Sequence, residues 1–139
     1  MSSFNKSSND LALLILRIGT GSLMLFHGIH KALYGHDYIK SLLSQKGLPN
    51  IFWIGVPIAE IIAPILLILG IFTRISTLLI AFVMLFSIYL AFGLEGFTIN
   101  DYGGLTAEFN IFFVFVGVAL FLLGPGKYRL GKNSNIWLQ

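Results

Sequence analysis

Ionisable side chains stand inside an apolar stretch of the sequence, LRIGTGSLMLFHGIHKALYGH at residues 16–36. They are Arg17, His27, His30 and Lys31. Each is costly to place in lipid, so an ionisable residue within a membrane segment is a candidate for binding or proton transfer. Two acids, Glu60 and Glu108, have similarly apolar neighbours. A base and an acid that meet in such an interior can bind each other, or hydrogen-bond and exchange protons with a ligand.

The composition is that of a membrane protein. Hydrophobic residues make up 56% of the 139-residue chain, and the mean hydropathy is +0.85, whereas soluble domains are about 45–50% apolar. The net charge is +3, but the basic residues are scattered singly, so we do not expect nucleic-acid binding. The absence of cysteine excludes disulfides, thiol redox chemistry and Cys-ligated metals within this chain.

Four apolar segments of about twenty residues predict four transmembrane helices. They cover about residues 11–33, 51–70, 75–93 and 105–123. We therefore expect an all-α, four-helix membrane bundle over residues 11–130. A frayed N-terminal segment at 1–10 precedes it and a polar tail at 131–139 follows it. Asn9 or Asp10 is placed to cap the first helix.

Loop charges predict the orientation of the bundle. With four spans, the N-terminus, the FTR turn and the C-terminal tail share one side of the membrane. The basic residues of this side are Lys6, Arg74, Lys127, Arg129 and Lys132. The opposite side carries fewer basic residues, balanced by three acids. Because positively charged loops stay inside, we expect both termini to be cytoplasmic.

Depth along straight helices predicts how the bases and acids pair. At 1.5 Å per residue from the cytoplasmic ends, Arg17 lies about 9 Å deep and Glu60 about 15 Å. Glu108 and His27 lie about 22 and 24 Å deep on the same scale. We therefore expect Arg17 to pair with Glu60. Glu108 is expected to meet His27 or to reach Lys31.

Helical geometry places part of this set on one face of the first helix. At 100° per residue, Lys31 lies about 40° and His27 about 80° from Arg17, whereas His30 is about 140° away. The set also has a purely structural interpretation. An Arg–Glu pair can hold helices together without chemistry, and a histidine near an acid can be a satisfied interior hydrogen bond.

Two prolines bracket the acid of the second helix. Pro57 and Pro64 stand on either side of Glu60 in VPIAEIIAP. Because proline has no N–H, Pro64 leaves the carbonyl of Glu60 without its helical partner. We expect a kink centred on Glu60, with an extra acceptor beside the acid.

Other motifs are missing or uninformative. There is no HExxH motif, and we predict no metal site. Haem would need axial ligands from different helices or chains, whereas the three histidines lie on or just after one helix. GPGKYRLG indicates a helix stop and turn before a basic tail, without the strand and helix that frame a phosphate-binding loop. With no cysteine, flavin motif or metal set, electrons would have to come from a partner protein.

Three segments resemble the DoxX family of small bacterial membrane proteins: LRIGTGSLMLFHGIHKAL, AEIIAPILLILGIFTRISTLLIAFVM and GLTAEFNIFFVFVGVALFLLGPGKYRL. The resemblance covers about Leu11 to Leu130. It rests on an Arg early in helix one and an HG..K motif at the end of that helix. Helix two contributes an acid followed by G.FTR, helix four begins with an acid, and GPG.Y.L follows helix four. The resemblance implies a four-helix membrane bundle in a bacterial inner membrane. It also implies an association with membrane oxidoreductase systems, including a quinone-reducing thiosulfate oxidoreductase.

Two functions follow from these observations. In the first, the chain is a membrane subunit of a redox system that binds a quinone or similar apolar ligand in a slot lined by aromatic residues. Its buried polar network would be Arg17, His27, Lys31, Glu60 and Glu108. In the second, it is a non-catalytic assembly partner or a lipid-binding protein. We expect a subunit or ligand-binding protein rather than a self-sufficient enzyme, with the bilayer, a redox subunit or further copies of the chain as partners.

Overall fold

A computed structural model describes residues 3–131 of the chain, with side chains from Lys6 onward. The described part is helical and contains no β-strand beyond one isolated antiparallel bridge between Ile99 and Leu105. Its helices are α1 (Ser3–Tyr34), α2 (Asp37–Gln45), α3 (Asn50–Leu69), α4 (Thr73–Phe97) and α5 (Glu108–Leu123).

Helices α1, α3 and α4 are long and apolar enough to cross a membrane, by length and composition. Helix α5 is a shorter apolar helix of 16 residues. Large apolar side chains remain exposed along all four helices, as at Phe26, Ile62, Phe82 and Phe115. A helix that is apolar on its outward face as well as its inward face is typical of a membrane environment.

Helix α1 begins at Ser3, upstream of the start expected at Leu11, so Asp10 lies inside the helix and the predicted cap is wrong. The Asp10 carboxylate instead accepts a hydrogen bond of 2.9 Å from the backbone N–H of Lys127. Its oxygen is therefore used to join α1 to the segment that follows α5. The predicted polar tail lies, from residue 132 onward, outside the described residues.

Helix α3 changes its winding around Glu60. It runs from a 3-10 segment (Asn50–Ile54) through a short α segment (Gly55–Pro57) and a π segment (Ile58–Ile62) to an α segment (Ala63–Leu69). The N–H of Ala63 bonds to the carbonyl of Ile58, five residues earlier, and Pro64 has no N–H to give to Glu60. Such π turns are a recognised cause of helix bending. The irregularity lies where the prolines predicted a kink.

Helix α4 also ends irregularly. Its α-helical part, Thr73–Ser87, passes into a π segment (Ile88–Phe92) and a 3-10 segment (Gly93–Phe97). Helix α5 packs along α4 through Gly117, where an added Cβ would lie 3.1 Å from the carbonyl oxygen of Thr77. A small residue here lets the two backbones approach closely.

Two glycines fix the register of α1 against α3. An added Cβ at Gly21 would lie 3.0 Å from the carbonyl oxygen of Pro64, and one at Gly28 would overlap the carbonyl of Glu60. Positions seven residues apart fall on nearly the same face of a helix. Both glycines therefore face α3, and Gly28 lies level with Glu60.

The two ends of the molecule are built differently. At one end, the N–H of Leu130 bonds to the carbonyl of Leu69 at 3.0 Å, so the segment after α5 lies against the end of α3. At the other end, α2 packs with Ile39 and Leu43 buried. Between the ends, the core includes Met24 and Phe113.

We expect Gly28→Ala to lower the stability of the protein, because the new methyl group meets backbone rather than a movable side chain. Overpacking of this kind costs about 1–3 kcal/mol. Thermal unfolding in detergent measures the loss. The matched control is Gly19→Ala on the same helix, where nothing lies within 4 Å of an added Cβ. Equal melting temperatures for the two variants would contradict the close packing at Gly28.

Candidate functional site

Arg17 is buried, with 1% of its surface exposed, and it binds backbone carbonyls. Its Nε donates to Leu67 at 3.1 Å and its Nη2 to Ile68 at 3.2 Å. Its Nη1 donates to Tyr128 at 2.7 Å and also to Pro125. Leu67 and Ile68 belong to the last turn of α3, whereas Pro125 and Tyr128 lie in the segment after α5, so Arg17 joins these two parts of the chain.

The predicted Arg17–Glu60 ion pair is therefore wrong. The expectation aligned the apolar segments end to end, which placed the two side chains at neighbouring depths. In the structure, α1 begins at Ser3 and the glycine contacts set the register, so Gly28 rather than Arg17 lies level with Glu60. Arg17 lies instead beside the last turn of α3.

Glu60 pairs with Lys31 instead. The Lys31 Nζ lies 2.6 Å from Oε1 of Glu60. Only 1% of the Glu60 side chain is exposed, against 34% of Lys31. The other carboxylate oxygen, Oε2, is buried, and no donor among the described residues reaches it. A buried carboxylate oxygen without a donor is unusual in proteins and calls for an explanation.

Lys31 and Glu60 line a small cavity of about 80 Å³. Helices α2 and α4 complete its walls, with Tyr38 and Ile39 from α2 and Ser87 from α4. A cavity of this size accepts water molecules or the polar end of a larger ligand. The apolar segments predicted from the sequence leave residues 34–50 without a helix, so they do not predict the contribution of α2.

A larger groove of about 520 Å³ adjoins this cavity between α3 and α4. Its walls are apolar and include Phe52, Phe82 and Leu79. Val56, Val83 and Phe86 line both spaces. The polar pair thus stands beside a groove whose volume falls within the range of about 300–1,000 Å³ typical of ligand sites.

The predicted contact between His27 and Glu108 is wrong. His27 is exposed, and its ring lies against Phe109, with 5.1 Å between centroids. Glu108 is exposed, and its carboxylate forms no hydrogen bond or ion pair with the described residues. It is the first residue of α5, where a negative charge is favourable beside the helix N-terminus. His30 packs on Tyr34, away from the Lys31–Glu60 pair.

Of the five residues predicted as one network, the structure brings together Lys31 and Glu60. Arg17 forms a separate cluster with backbone carbonyls, and His27 and Glu108 are exposed on the surface. The sequence does carry a signal for α2, since Ile39 and Leu43 are spaced i, i+4 as on one face of a helix.

The profile of the DoxX family matches residues 12–93 of the chain. The chain belongs to the DoxX family. The matched residues include both members of the Lys31–Glu60 pair and the buried Arg17. No curated protein and no solved structure matches the chain. Family membership and the three long apolar helices make it a DoxX membrane protein.

A pair of double-mutant cycles distinguishes the observed contact from the predicted one. We expect Lys31→Met and Glu60→Gln to be coupled by about 0.5–3 kcal/mol, because the two side chains touch. Arg17 and Glu60 share no hydrogen-bond partner, so the losses of unfolding free energy from Arg17→Met and Glu60→Gln should add within about 0.5 kcal/mol. Equilibrium unfolding in mixed micelles measures both cycles. Coupling in the Arg17 cycle and additivity in the Lys31 cycle would refute this pairing.

Proposed function

We propose that this DoxX protein is an integral membrane subunit of a redox system and binds a quinone, or a similar apolar ligand, at the Lys31–Glu60 site. The observation that supports this proposal is the buried Oε2 of Glu60, which no described residue binds, beside a large apolar groove. A ligand with an apolar body and a polar oxygen would fill the groove and use the carboxylate.

The polar pair offers both kinds of hydrogen-bonding group to such a ligand. Glu60 Oε2 accepts a hydrogen bond from a hydroxyl group. The ammonium of Lys31 has three N–H donors, and one of them is used by Glu60 Oε1. A second N–H can donate to a carbonyl oxygen, which is the group that a quinone presents. Bound there, a quinone would supply electron and proton transfer within the membrane.

The groove suits the apolar part of the ligand. Aromatic rings line it at Phe52, Phe82 and Phe86, and such rings pack well against a planar ring. This groove lies between α3 and α4, whereas Phe112 and Phe115 of α5 are largely exposed and do not line it. The ligand would therefore enter from the lipid beside α3 and α4.

Electrons would reach the ligand through other proteins. The chain contains no cysteine, so thiol chemistry requires a separate subunit. We propose a redox subunit as partner, in a complex that can contain further copies of this chain. The exposed apolar surfaces of α1 and α5 leave room for such contacts within the bilayer.

We further propose a four-helix transmembrane bundle in the bacterial cytoplasmic membrane with both termini inside. Helix α5 is about 24 Å long at 1.5 Å per residue, and a span a few ångströms too short is accommodated at modest cost. Lys6, Arg74, Lys127 and Arg129 gather at the end of the molecule where α1 begins, and a basic end is retained in the cytoplasm.

Single cysteines test this topology, since the native chain has none. We expect an impermeant thiol reagent to label Gln45→Cys and Tyr102→Cys in intact cells, because both positions are exposed and lie at the end that we assign to the outside. Lys127→Cys should be labelled only after the cells are opened. Labelling of Lys127→Cys in intact cells, with protection of the other two, would reverse the orientation.

A short-chain quinone analogue should raise the melting temperature of the protein in nanodiscs, because a ligand of the native state stabilises it. The gain is about 2.7 kcal/mol at 100 times the Kd. Glu60→Gln should reduce this gain, since it removes the negative charge and replaces one of the two carboxylate oxygens by an NH2 donor. An unchanged melting temperature of the wild type, with a rise on adding a co-purified protein partner, would favour the alternative of a non-catalytic assembly partner.

The groove itself is tested by a matched pair of leucine variants. Gly55 lines the groove, and nothing lies within 4 Å of a Cβ added there, so Gly55→Leu fills the groove without a clash at Cβ. Gly19 is equally open but lines a different apolar cavity, between α1 and α5. The quinone effect should disappear in Gly55→Leu and persist in Gly19→Leu.

A further inference from the structure

A second cavity, of about 480 Å³, opens at the end of the molecule where α1 begins and α5 ends. Its charged walls are Lys6 and Asp10 of α1, Arg74 of α4, and Lys127 and Arg129 of the segment after α5. Four positive charges therefore surround one negative charge. Lysine and arginine gathered around one concave space provide a binding site for an anion.

These cations are not neutralised by the rest of the described chain. The ion pairs within residues 6–131 join Lys31 to Glu60 and Lys40 to Asp37, and neither involves the cavity. The one acid in the cavity, Asp10, accepts a hydrogen bond from a backbone N–H. The positive charge of the cavity thus remains available to a ligand.

The guanidinium of Arg74 packs against an aromatic ring, but one of its N–H donors has no hydrogen-bond acceptor among the described residues. Its Nε is buried and has no hydrogen-bond partner among the described residues. Its guanidinium lies over the ring of Phe121, 5.8 Å from the ring centroid, a contact that orients the group without using its N–H donors. A buried guanidinium donor without an acceptor is expensive, and a planar fork of N–H groups matches the oxygens of a phosphate.

The turn that carries Lys127 and Arg129 is fixed by two glycine conformations and by hydrogen bonds from Arg17. Gly124 and Gly126 have φ values of 77° and 71°, a conformation that side chains other than glycine rarely adopt. From within, Arg17 donates to the carbonyls of Pro125 and Tyr128. The sequence GPGKYRLG therefore forms a turn whose backbone is held by Arg17 and which carries the two cations Lys127 and Arg129.

We infer that this cavity binds the phosphate group of an anionic phospholipid. It lies at the end of the apolar helices, where lipid headgroups would meet the protein in the topology proposed above. Leu123 lines the cavity, and the neighbouring Leu122 is also exposed, so an apolar surface continues from the cations along α5. A phosphate with acyl chains matches both surfaces, whereas inorganic phosphate uses only the cations.

Native mass spectrometry of the full chain tests this site with an equimolar mixture of phosphatidylglycerol and phosphatidylcholine. We expect preferential retention of phosphatidylglycerol. Arg74→Gln and the exposed Lys127→Gln should each weaken it about tenfold, as expected for the loss of one charge-assisted donor. Lys46→Gln, at the opposite end of the molecule, is the matched control and should retain the lipid as the wild type does.

A second measurement separates a lipid from a soluble anion and does not depend on the folding of Arg74→Gln. In phosphatidylcholine nanodiscs, inclusion of phosphatidylglycerol should raise the melting temperature, whereas millimolar inorganic phosphate at matched ionic strength should not. Equal stabilisation by inorganic phosphate would assign the cavity to a free phosphate and overturn the lipid proposal. Equal retention of the two lipids, or retention unchanged in both Gln variants, would overturn it as well.

Discussion

The structure depends most on the buried guanidinium of Arg17. A charge inside an apolar bundle is tolerated only when its donors are occupied, and Arg17 achieves this with four carbonyls from two separate parts of the chain. The carbonyl end of a helix carries partial negative charge, so the end of α3, together with two carbonyls of the segment after α5, stabilises the cation without an acid. One side chain thus joins three segments that are distant in sequence.

Consequences of this contact extend to both candidate sites. At the basic end of the molecule, Arg17 holds the turn at Pro125 and Tyr128, and this turn carries two of the four cations of the basic cavity. Along α1, the contact at Leu67 agrees with the register that Gly21 and Gly28 impose on α3. The same register brings the last turn of α1 within reach of Glu60. The two sites therefore share one constraint while lying at opposite ends of the molecule.

The sequence predicted the helical class, the long apolar helices and the irregularity at Glu60, because these follow from local composition and from proline chemistry. The sequence did not predict correctly which ionisable side chains contact each other. Segment length alone placed Arg17 near the depth of Glu60, whereas the register of α1 against α3 depends on which glycine meets which carbonyl. The predicted contact of His27 with Glu108 is wrong because both side chains are exposed. Helix α2 was missed because its polar residues outweighed the i, i+4 signal of Ile39 and Leu43.

The two buried charges differ in how far they are satisfied, and this difference bears on their roles. Arg17 uses four of its five donors on backbone groups, as expected of a residue that holds the fold together. Glu60 is equally buried, yet only one of its oxygens meets a donor within the described residues. A purely structural pair would gain stability from satisfying both oxygens. An acid with one oxygen that no described residue binds, beside an apolar groove, is better suited to receive a ligand. This difference supports the proposal that Glu60 binds the ligand while Arg17 holds the fold together.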